Sequence, residues 1–329
     1  NRKKLIMKAI TVKSIKKENI FIEKQVPHPK NDELLIKTHA IGVNRLDGAW
    51  INNDNLPQDK VLGVELSGEV VDPNFSKKFH KGDRVIALVD EGSYSEYISV
   101  PSNRLIKLPD KFSYVEGASI PENYLTAFQV LFTIGHLKEN QSVLIHAGAS
   151  GVGMAATQLA KNIKNVKVIT TSSKRKTNDC LLNGADYAID YSENDFSEEV
   201  KKITKGQGVD LVIDFIGKNY FKKNIESTST DGTIALVGTL SGSVVENIDL
   251  FDIIKKHINI VGTLLSNRTS EYKHVLTENF ENMFLKSNEA TLLPKISKVF
   301  AFQDVKKALT FMNENKNVGK IIISLDTDK

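Results

Sequence analysis

The fold of this chain is decided by the stretch Ala147-Gly148-Ala149-Ser150-Gly151-Val152-Gly153-Met154-Ala155-Ala156. It contains a G-x-G-x-x-A spacing at Gly151, Gly153 and Ala156, between a predicted strand and a predicted helix. Small residues in such a loop permit a tight turn, let a pyrophosphate approach the backbone and allow the helix to pack on the strand. The amides that open the helix then face the phosphates, aided by the helix dipole. The stretch predicts a dinucleotide-binding loop; the alternative is a glycine-rich turn that serves packing only.

The residues around this loop predict a doubly wound parallel sheet. After the loop, apolar residues recur on one helical face: Val152, Ala155, Ala156, Leu159, Ala160 and Ile163. Apolar runs that predict strands lie at 142–145, 166–171, 187–189, 209–215, 233–237 and 258–262. Six strands interleaved with helices are typical of a Rossmann sheet with right-handed crossovers.

The segments on either side of this sheet have a different pattern. Residues 5–108 read as short, half-alternating strands separated by polar turns, which predicts a compact barrel or sandwich. Near the end of the chain, a helix is predicted at 303–312 and a strand at 320–325. If that strand joins the first sheet, the first domain is discontinuous. We therefore expect one domain from 1–122 and 295–329, and a second from 123–294.

Composition narrows the class of protein. The chain is 40% hydrophobic and 26% charged, which is ordinary for a globular protein of two domains and excludes a disordered chain. No apolar run reaches the roughly 18 residues of a membrane-spanning helix, and the opening stretch Asn1-Arg2-Lys3-Lys4 is polar and charged rather than apolar. The net charge of +4 is spread along the chain, unlike the basic stripe of nucleic-acid-binding proteins. We expect a cytoplasmic protein with neither a membrane span nor a nucleic-acid partner.

The sequence predicts no metal site. Its single cysteine, Cys180, cannot build a thiolate zinc cage, and its seven histidines show no ligand-like spacing.

The end of the second predicted strand indicates which dinucleotide binds. A site selective for NAD usually places a carboxylate there, on the ribose hydroxyls. This chain instead has Thr170-Thr171-Ser172-Ser173 followed by Lys174-Arg175-Lys176. Hydroxyls and cations suit a 2′-phosphate, so the sequence predicts NADPH. The alternative is that the three cations are solvated side chains on the first turn of a helix.

Five further segments carry family motifs. They are Ala-Ile-Gly-Val-Asn-Arg-Leu-Asp at 40–47, Gly-Val-Glu-Leu-Ser-Gly-Glu-Val at 63–70, Gly-Asp-Arg-Val-Ile-Ala at 82–87, Ile-Pro-Glu-Asn-Tyr-Leu-Thr-Ala-Phe-Gln at 120–129 and Asn-Val-Gly-Lys-Ile at 317–321. With the glycine loop, they resemble the zinc-independent quinone oxidoreductases of the medium-chain dehydrogenase/reductase superfamily, and most closely the stress-inducible branch. Zinc relatives carry His after the glycine at 63, where this chain has Val64. Relatives also place a substrate-facing Tyr that residues 50–55 lack, so the resemblance identifies no proton donor.

The resemblance implies a fold and a set of site residues. We expect a GroES-like β-barrel domain and a Rossmann domain, with NADPH in the cleft between them. It assigns Asn44 as the candidate catalytic donor and Asp47 as a second candidate. The residues expected at the nicotinamide end and its ribose are Thr126, Gly217, Gly238, Leu264 and Asn317. Those expected at the pyrophosphate are Gly148, Gly151, Val152 and Gly153, and those expected at the adenosine are Ser173, Lys176 and Tyr191. The alternatives are loop capping for Asn44, Asp47 and Asn317, a strand-end aromatic for Tyr191 and a core position for Leu264.

The resemblance implies an activity as well. We expect an enzyme that reduces quinones with NADPH. Two alternatives stay open: an enone or alkenal double-bond reductase on the same scaffold, and an NADPH-responsive RNA-binding protein with little catalysis. Residues 258–263 form a predicted apolar edge strand, which in this superfamily commonly pairs across a two-fold axis. A homodimer is therefore expected.

Overall fold

The computed structural model describes residues 5–326, so the charged residues 1–4 and residues 327–329 lie outside it. The strands are β1 (Ile6–Ala9), β2 (Ile22–Gln25), β3 (Glu33–Gly42), β4 (Glu65–Asp72), β5 (Arg84–Leu88), β6 (Tyr97–Pro101), β7 (Leu105–Lys107), β8 (Ser142–Ile145), β9 (Lys167–Ser172), β10 (Tyr187–Asp190), β11 (Val209–Asp214), β12 (Thr228–Leu236), β13 (Asn259–Gly262), β14 (Ile296–Ala301) and β15 (Lys320–Ser324). The α-helices are α1 (Arg45–Ile51), α2 (Tyr114–Ala118), α3 (Pro121–Phe128), α4 (Gly151–Lys161), α5 (Thr177–Leu182), α6 (Phe196–Ile203), α7 (Phe221–Ser227), α8 (Leu250–Lys256), α9 (Ser270–Phe280) and α10 (Val305–Asn313). Across this part of the chain, every helix is too short or too polar to cross a bilayer.

Residues 123–269 and 282–293 form a unit around a six-stranded sheet. The strand order is β10-β9-β8-β11-β12-β13, and every neighbouring pair is parallel. Leu144, Ile169, Val212 and Ile234 are buried at its centre. Strands covered by helices on both faces are apolar along their whole length, which is why the sequence displays them as continuous runs. The predicted Rossmann sheet is thereby confirmed.

One strand of this sheet is longer than predicted. The sequence pattern places the fifth strand at 233–237, whereas β12 begins at Thr228. The added segment is polar, contains Asp231 with a φ of 65°, and pairs with β11 through a register shift between Val209 and Leu211. A bulged, hydroxyl-rich strand start lacks the apolar alternation that identifies a strand in sequence.

The described residues 5–122, 270–281 and 294–326 form a second unit. Its main sheet has the order β14-β15-β3-β4-β5-β7, and β6 also pairs with β3. The ten-residue strand β3 is the axis of this unit, with an apolar cluster around Leu34, Ile36 and Leu66 and another around Ile41 and Ile323. This is the GroES-like part of the predicted fold. β15 pairs antiparallel with β3, bringing Ile322 opposite Gly42.

Helix α9 and the residue after it belong to this unit, although the predicted boundary grouped them with the Rossmann domain. The reason is a set of polar contacts that a sequence pattern does not display. Lys273 Nζ lies 3.0 Å from Asp90 Oδ1, His274 Nδ1 lies 3.1 Å from the Asn103 carbonyl, and Lys78 pairs with Glu281 at 3.3 Å.

Candidate functional site: a nucleotide cradle and a buried polar cluster

The glycine-rich loop turns directly after β8. The tight turn is made by Ala147, whose φ is 49°, a left-handed conformation that costs a non-glycine residue about 1 kcal/mol or more. The amide of the next residue, Gly148, donates to the Thr171 carbonyl of β9 at 2.9 Å, which holds the turn in place. The tight turn therefore falls on a small residue, as the sequence predicts, and that residue is an alanine.

The glycines of the loop are needed because other atoms approach their backbone closely. A Cβ on Gly153 would run into the Ala147 carbonyl oxygen. A Cβ on Gly148 would lie 2.6 Å from the Cβ of Thr170, and one on Gly151 would lie 2.6 Å from Nδ2 of Asn123. The loop thus packs against β9 through Gly148 and against α3 through Gly151.

The N-terminus of α4 is built to receive an anion. Ser150 caps the helix: its Oγ accepts from the Gly153 amide at 3.1 Å and donates to the Ala147 carbonyl at 2.7 Å. The first intrahelical hydrogen bond runs from the Met154 amide to the Ser150 carbonyl at 2.8 Å. The amides of Gly151 and Val152 precede that bond and lie at the positive end of the helix dipole. A pyrophosphate fits this cradle, because amides at a helix N-terminus and the positive end of the helix dipole together bind anionic groups.

Most of the hydroxyls predicted to face a 2′-phosphate form hydrogen bonds with neighbouring residues instead. Thr170 and Thr171 are buried, since β9 is an inner strand of the sheet. The Thr170 hydroxyl donates to the Tyr187 carbonyl at 3.1 Å, and the Thr171 hydroxyl lies 2.8 Å from His146 Nδ1. The half-buried Ser173, just beyond the strand end, is the hydroxyl that remains.

The cations beside Ser173 differ in their surroundings. Lys174 pairs with Glu193 at 3.2 Å. The side chains of Arg175 and Lys176 make neither a hydrogen bond nor an ion pair with any residue between 5 and 326, and Arg175 is exposed. On the neighbouring strand end, Tyr191 is 48% exposed, and its amide donates to the Ser172 carbonyl at 3.2 Å. The structure therefore brings the predicted adenosine residues, which are 15 to 18 positions apart, to one edge of the sheet.

The loops after β11, β12 and β13 hold the other predicted residues of this unit. Gly217 has a φ of 83°, and its amide donates to the buried Asp214 carboxylate at 3.1 Å. A Cβ on Gly238 would lie 3.0 Å from the Phe215 carbonyl. Leu264 is 54% exposed, so it is not a core residue. All three follow carboxyl ends of parallel strands, where doubly wound folds bind ligands.

Sequence reasoning missed a buried histidine under this edge. His146 Nδ1 lies 2.8 Å from the Thr171 hydroxyl and Nε2 lies 2.7 Å from Asn224 Oδ1. Burial lowers the pKa of His146 to about 4, against a smaller opposing effect of the Asn224 hydrogen bond. The imidazole is thus neutral at neutral pH and links β8, β9 and α7. A polar residue directly after an apolar strand is the signal that identifies it.

In the GroES-like unit, Asp47 has a structural position. Its Oδ2 accepts from the Asn44 amide at 2.8 Å, closing the N-terminus of α1, and from the Tyr94 hydroxyl at 2.8 Å. The residue is fully buried, which raises the pKa of its carboxyl to about 7, while the two hydrogen bonds act in the opposite direction. This geometry matches the capping alternative for Asp47 rather than a carboxyl exposed to a substrate.

Asn44 lies where β15, β3 and β4 run side by side. Its Nδ2 donates to Glu65 Oε1 at 2.9 Å, and its Oδ1 accepts from Lys320 Nζ at 2.7 Å. Lys320 also pairs with Glu65, whose Oε2 accepts from the Glu122 amide at 2.9 Å. Sequence reasoning missed Glu65 and Lys320, although each is a charged residue at the start of a buried strand. Such a placement requires a partner and is itself a signal.

Thr126 and Asn317 complete the predicted set. Thr126 is buried in α3. Asn317 is half-buried, and its Nδ2 donates to the Gly319 carbonyl at 3.1 Å, as its capping alternative describes.

The potential metal ligands are dispersed. Between residues 5 and 326, no three of the His, Cys, Asp and Glu side chains are grouped so that they could hold a metal ion. Val64 and Cys180 are both buried, and burial raises the pKa of the Cys180 thiol.

Comparisons with known proteins agree with this architecture. The alcohol dehydrogenase GroES-like domain family matches residues 30–110 and the zinc-binding dehydrogenase family matches residues 151–281. A synaptic vesicle membrane protein VAT-1 homolog of Mus musculus is 31% identical over 90% of this chain and 77% of its own length. The structure of a mycobacterial quinone oxidoreductase superposes with a TM-score of 0.84 at 30% identity, over 97% of this chain and 99% of that one. A mycobacterial protein solved in complex with NADPH superposes with a TM-score of 0.79 at 28% identity, over 97% and 99% of the two chains. The two units, the nucleotide cradle and these relatives lead to one conclusion. The chain belongs to the medium-chain dehydrogenase/reductase superfamily of oxidoreductases.

Proposed function

We propose that this protein is a zinc-independent quinone reductase that uses NADPH. The observation that carries the choice of cofactor is the pair Arg175 and Lys176, two cations that have no hydrogen-bond or ion-pair partner among residues 5–326 and that lie beside the half-buried Ser173. They lie just past the end of β9, on the same sheet as the glycine loop. The 2′-phosphate of NADPH would be the negatively charged partner of these two side chains.

The nearby carboxylates do not form the ribose site that NADH prefers. Glu193 is paired with Lys174. Asp190 Oδ1 accepts from the Ser192 amide at 2.9 Å and from its hydroxyl at 2.6 Å, and these hydrogen bonds lower the pKa of Asp190. A carboxylate held by its own turn is a poor ligand for ribose hydroxyls, which supports NADPH over NADH.

Some residues of the chain would bind the cofactor, and one would contact the acceptor. The Gly151 and Val152 amides would hold the pyrophosphate, and Arg175 with Lys176 the 2′-phosphate. Bound NADPH would supply the reducing electrons. Asn44 would donate a hydrogen bond to the acceptor oxygen as it gains negative charge, and water would provide the proton.

Absence of zinc is part of the proposal. A quinone oxygen that becomes an anion needs a hydrogen-bond donor, and the Asn44 amide is one. The buried Val64 stands where zinc relatives have a histidine ligand, and Cys180 is buried beneath the glycine loop. The structural similarity to a mycobacterial quinone oxidoreductase supports this choice of acceptor.

The decisive experiment measures NADPH and NADH binding by calorimetry, and NADPH oxidation with a panel of quinones and enones. We expect NADPH to bind more tightly than NADH, and quinones to be reduced faster than enones.

In Arg175→Ala/Lys176→Ala, NADPH affinity should fall about tenfold or more per cation, because each makes a charge-assisted contact, while NADH affinity stays unchanged. Lys164→Ala, an exposed lysine before the other end of β9, is the matched control and should keep wild-type affinity. Equal or tighter binding of NADH, or turnover of no quinone in the panel, would refute the proposal.

We also propose a homodimer formed through β13. This strand is the edge of its sheet, and Ile260 on it is 36% exposed. The preceding helix, α8, exposes Leu250 and Phe251. Apolar edges of this kind are usually covered. Light scattering should give the mass of two chains for the wild type and of one chain for Ile260→Lys; a monomeric wild type would contradict the proposal.

A further inference from the structure

We propose that Glu65 and Lys320 are positioning residues that fix the side-chain amide of Asn44 and direct one of its N–H groups toward the acceptor oxygen. The inference rests on the proposed function, because it concerns the donor of the same reaction. Its basis is a set of hydrogen bonds within the GroES-like unit.

The two charged groups determine which way the Asn44 amide faces. The ammonium of Lys320 lies 2.7 Å from Oδ1, and the carboxylate of Glu65 lies 2.9 Å from Nδ2. A flipped amide would place an N–H group against the ammonium and a carbonyl oxygen against the carboxylate, with both contacts repulsive. One orientation alone satisfies both neighbours.

The same contacts leave one donor available. An asparagine amide carries two N–H groups, and Glu65 takes one of them. The other has the Gly42 carbonyl at 3.5 Å, the outer limit of a hydrogen bond. Asn44 as a residue is half-buried rather than fully buried, and the proposal assigns this second N–H group to the ligand. The site therefore presents a single donor in a fixed direction.

Burial increases the effect of the charges on this donor. Glu65 is fully buried and Lys320 is 5% exposed, so water screens their interaction with Asn44 weakly. The ammonium at Oδ1 polarises the amide and strengthens the second N–H group as a donor, whereas the carboxylate at Nδ2 opposes this effect, so the pair acts by fixing the orientation of the amide. The two charges compensate each other, so within this cluster the Asn44 amide is the group that we infer contacts the acceptor oxygen.

The surrounding backbone holds Glu65 in this place. Its Oε2 accepts from the Glu122 amide at 2.9 Å. A Cβ on Gly42 would run into the Glu65 carboxylate, so the last residue of β3 has to be a glycine for this carboxylate to fit. The hydrogen bond from the Val43 amide to the Ile321 carbonyl, at 3.0 Å, holds β15 beside β3 and so brings Lys320 into contact with both Asn44 and Glu65.

The kinetic test compares the wild type with Glu65→Gln/Lys320→Met, Asn44→Ala and the triple variant. The double variant removes both charges together, which avoids a buried charge without a partner. We expect kcat with a quinone to fall about tenfold or more in the double variant and in Asn44→Ala, while KM for NADPH stays within about twofold. The triple variant should be no slower than Asn44→Ala, because the pair acts through that residue.

Two further variants and one NMR signal make the test independent of folding and of turnover. Lys60→Met/Glu91→Gln removes another ion pair of the same unit and should keep the wild-type kcat. Lys320→Arg keeps the charge but changes its shape, and should give an intermediate kcat. In the cofactor-free protein, the ¹⁵N side-chain amide signal that is absent in Asn44→Ala reports Asn44; we expect its two proton shifts to converge in the double variant.

The possible outcomes separate the two proposals. An unchanged Asn44 signal, a double variant with wild-type kcat, or a triple variant whose loss is the product of the two separate losses would overturn the inference. A wild type that reduces no quinone overturns the proposed function instead, and the Asn44 signal then decides alone whether the pair holds the amide.

Discussion

Replacing Asp47 by Asn should change how the stability of the GroES-like unit depends on pH. Burial raises the pKa of the Asp47 carboxyl from its ordinary value of 3.8 to about 7. Above pH 4 the unfolded chain releases this proton, whereas the folded protein keeps it until about pH 7. The folded state therefore loses stability as the pH rises through this window, and the loss is complete above pH 7.

The magnitude follows from the size of the shift. A pKa difference of about 3 units corresponds to about 4 kcal/mol at 1.36 kcal/mol per unit. The wild type should lose up to about 4 kcal/mol of unfolding free energy between pH 4 and pH 8, whereas Asp47→Asn should not show this loss. The unfolding free energy of the variant minus that of the wild type should therefore rise by up to about 4 kcal/mol over this range. The buried Oδ1 of Asp47 has no hydrogen-bond partner between residues 5 and 326, so the new amide group adds a cost that is the same at every pH.

The measurement uses a reporter that the chain already contains. Trp50, its single tryptophan, lies in α1 three positions after Asp47, so denaturation followed by tryptophan fluorescence reports this unit. Tyr94→Phe is the matched control: it removes a hydrogen bond that lowers the pKa of Asp47, and so should extend the loss of stability to higher pH. A free-energy difference between Asp47→Asn and the wild type that stays constant from pH 4 to pH 8 would refute the reasoning.

Two predictions concern the Rossmann unit. Gly153→Ala should destabilise this unit by about 1–3 kcal/mol and weaken cofactor binding in calorimetry, because the new methyl group meets the Ala147 carbonyl; Gly262→Ala, with open space at its Cβ, should do neither. Equal cofactor affinity in the two variants would contradict the close packing of the loop. The lowered pKa of His146, about 4, means that stability is lost as the pH falls below 6.5, by about 2 kcal/mol at pH 5. His146→Gln should remove this acid dependence from the hydrogen exchange of β8 amides; an unaltered acid dependence would show that another group is responsible.

The amino-acid sequence predicts the parallel sheet well because its signals are local. Each inner strand is a short apolar run, and the loop Gly148 to Gly153 is contiguous. The positions of single side chains within a strand follow from the sheet instead. Thr170 and Thr171 were predicted to face a phosphate with Ser173, yet they are buried because β9 is an inner strand.

The buried polar cluster shows where sequence reasoning ends. Asn44 belongs to a contiguous motif, but its partners Glu65 and Lys320 lie 21 and 276 positions away. Only the pairing of β4 and β15 with β3 brings the three together. A buried charge predicts that a partner exists, whereas the identity of that partner is a property of the tertiary fold.

The pairing of β15 with β3 also has a consequence for how the chain assembles during synthesis. All six strands of the parallel sheet, from Ser142 to Gly262, are translated before β15 leaves the ribosome. The later part of β3, at residues Ala40 to Gly42, by contrast has no partner on that side until Ser324 to Ile322 arrive. We expect the nascent chain to carry an open strand edge throughout this interval, which makes it the stage at which translation pauses or chaperone depletion most readily lead to aggregation.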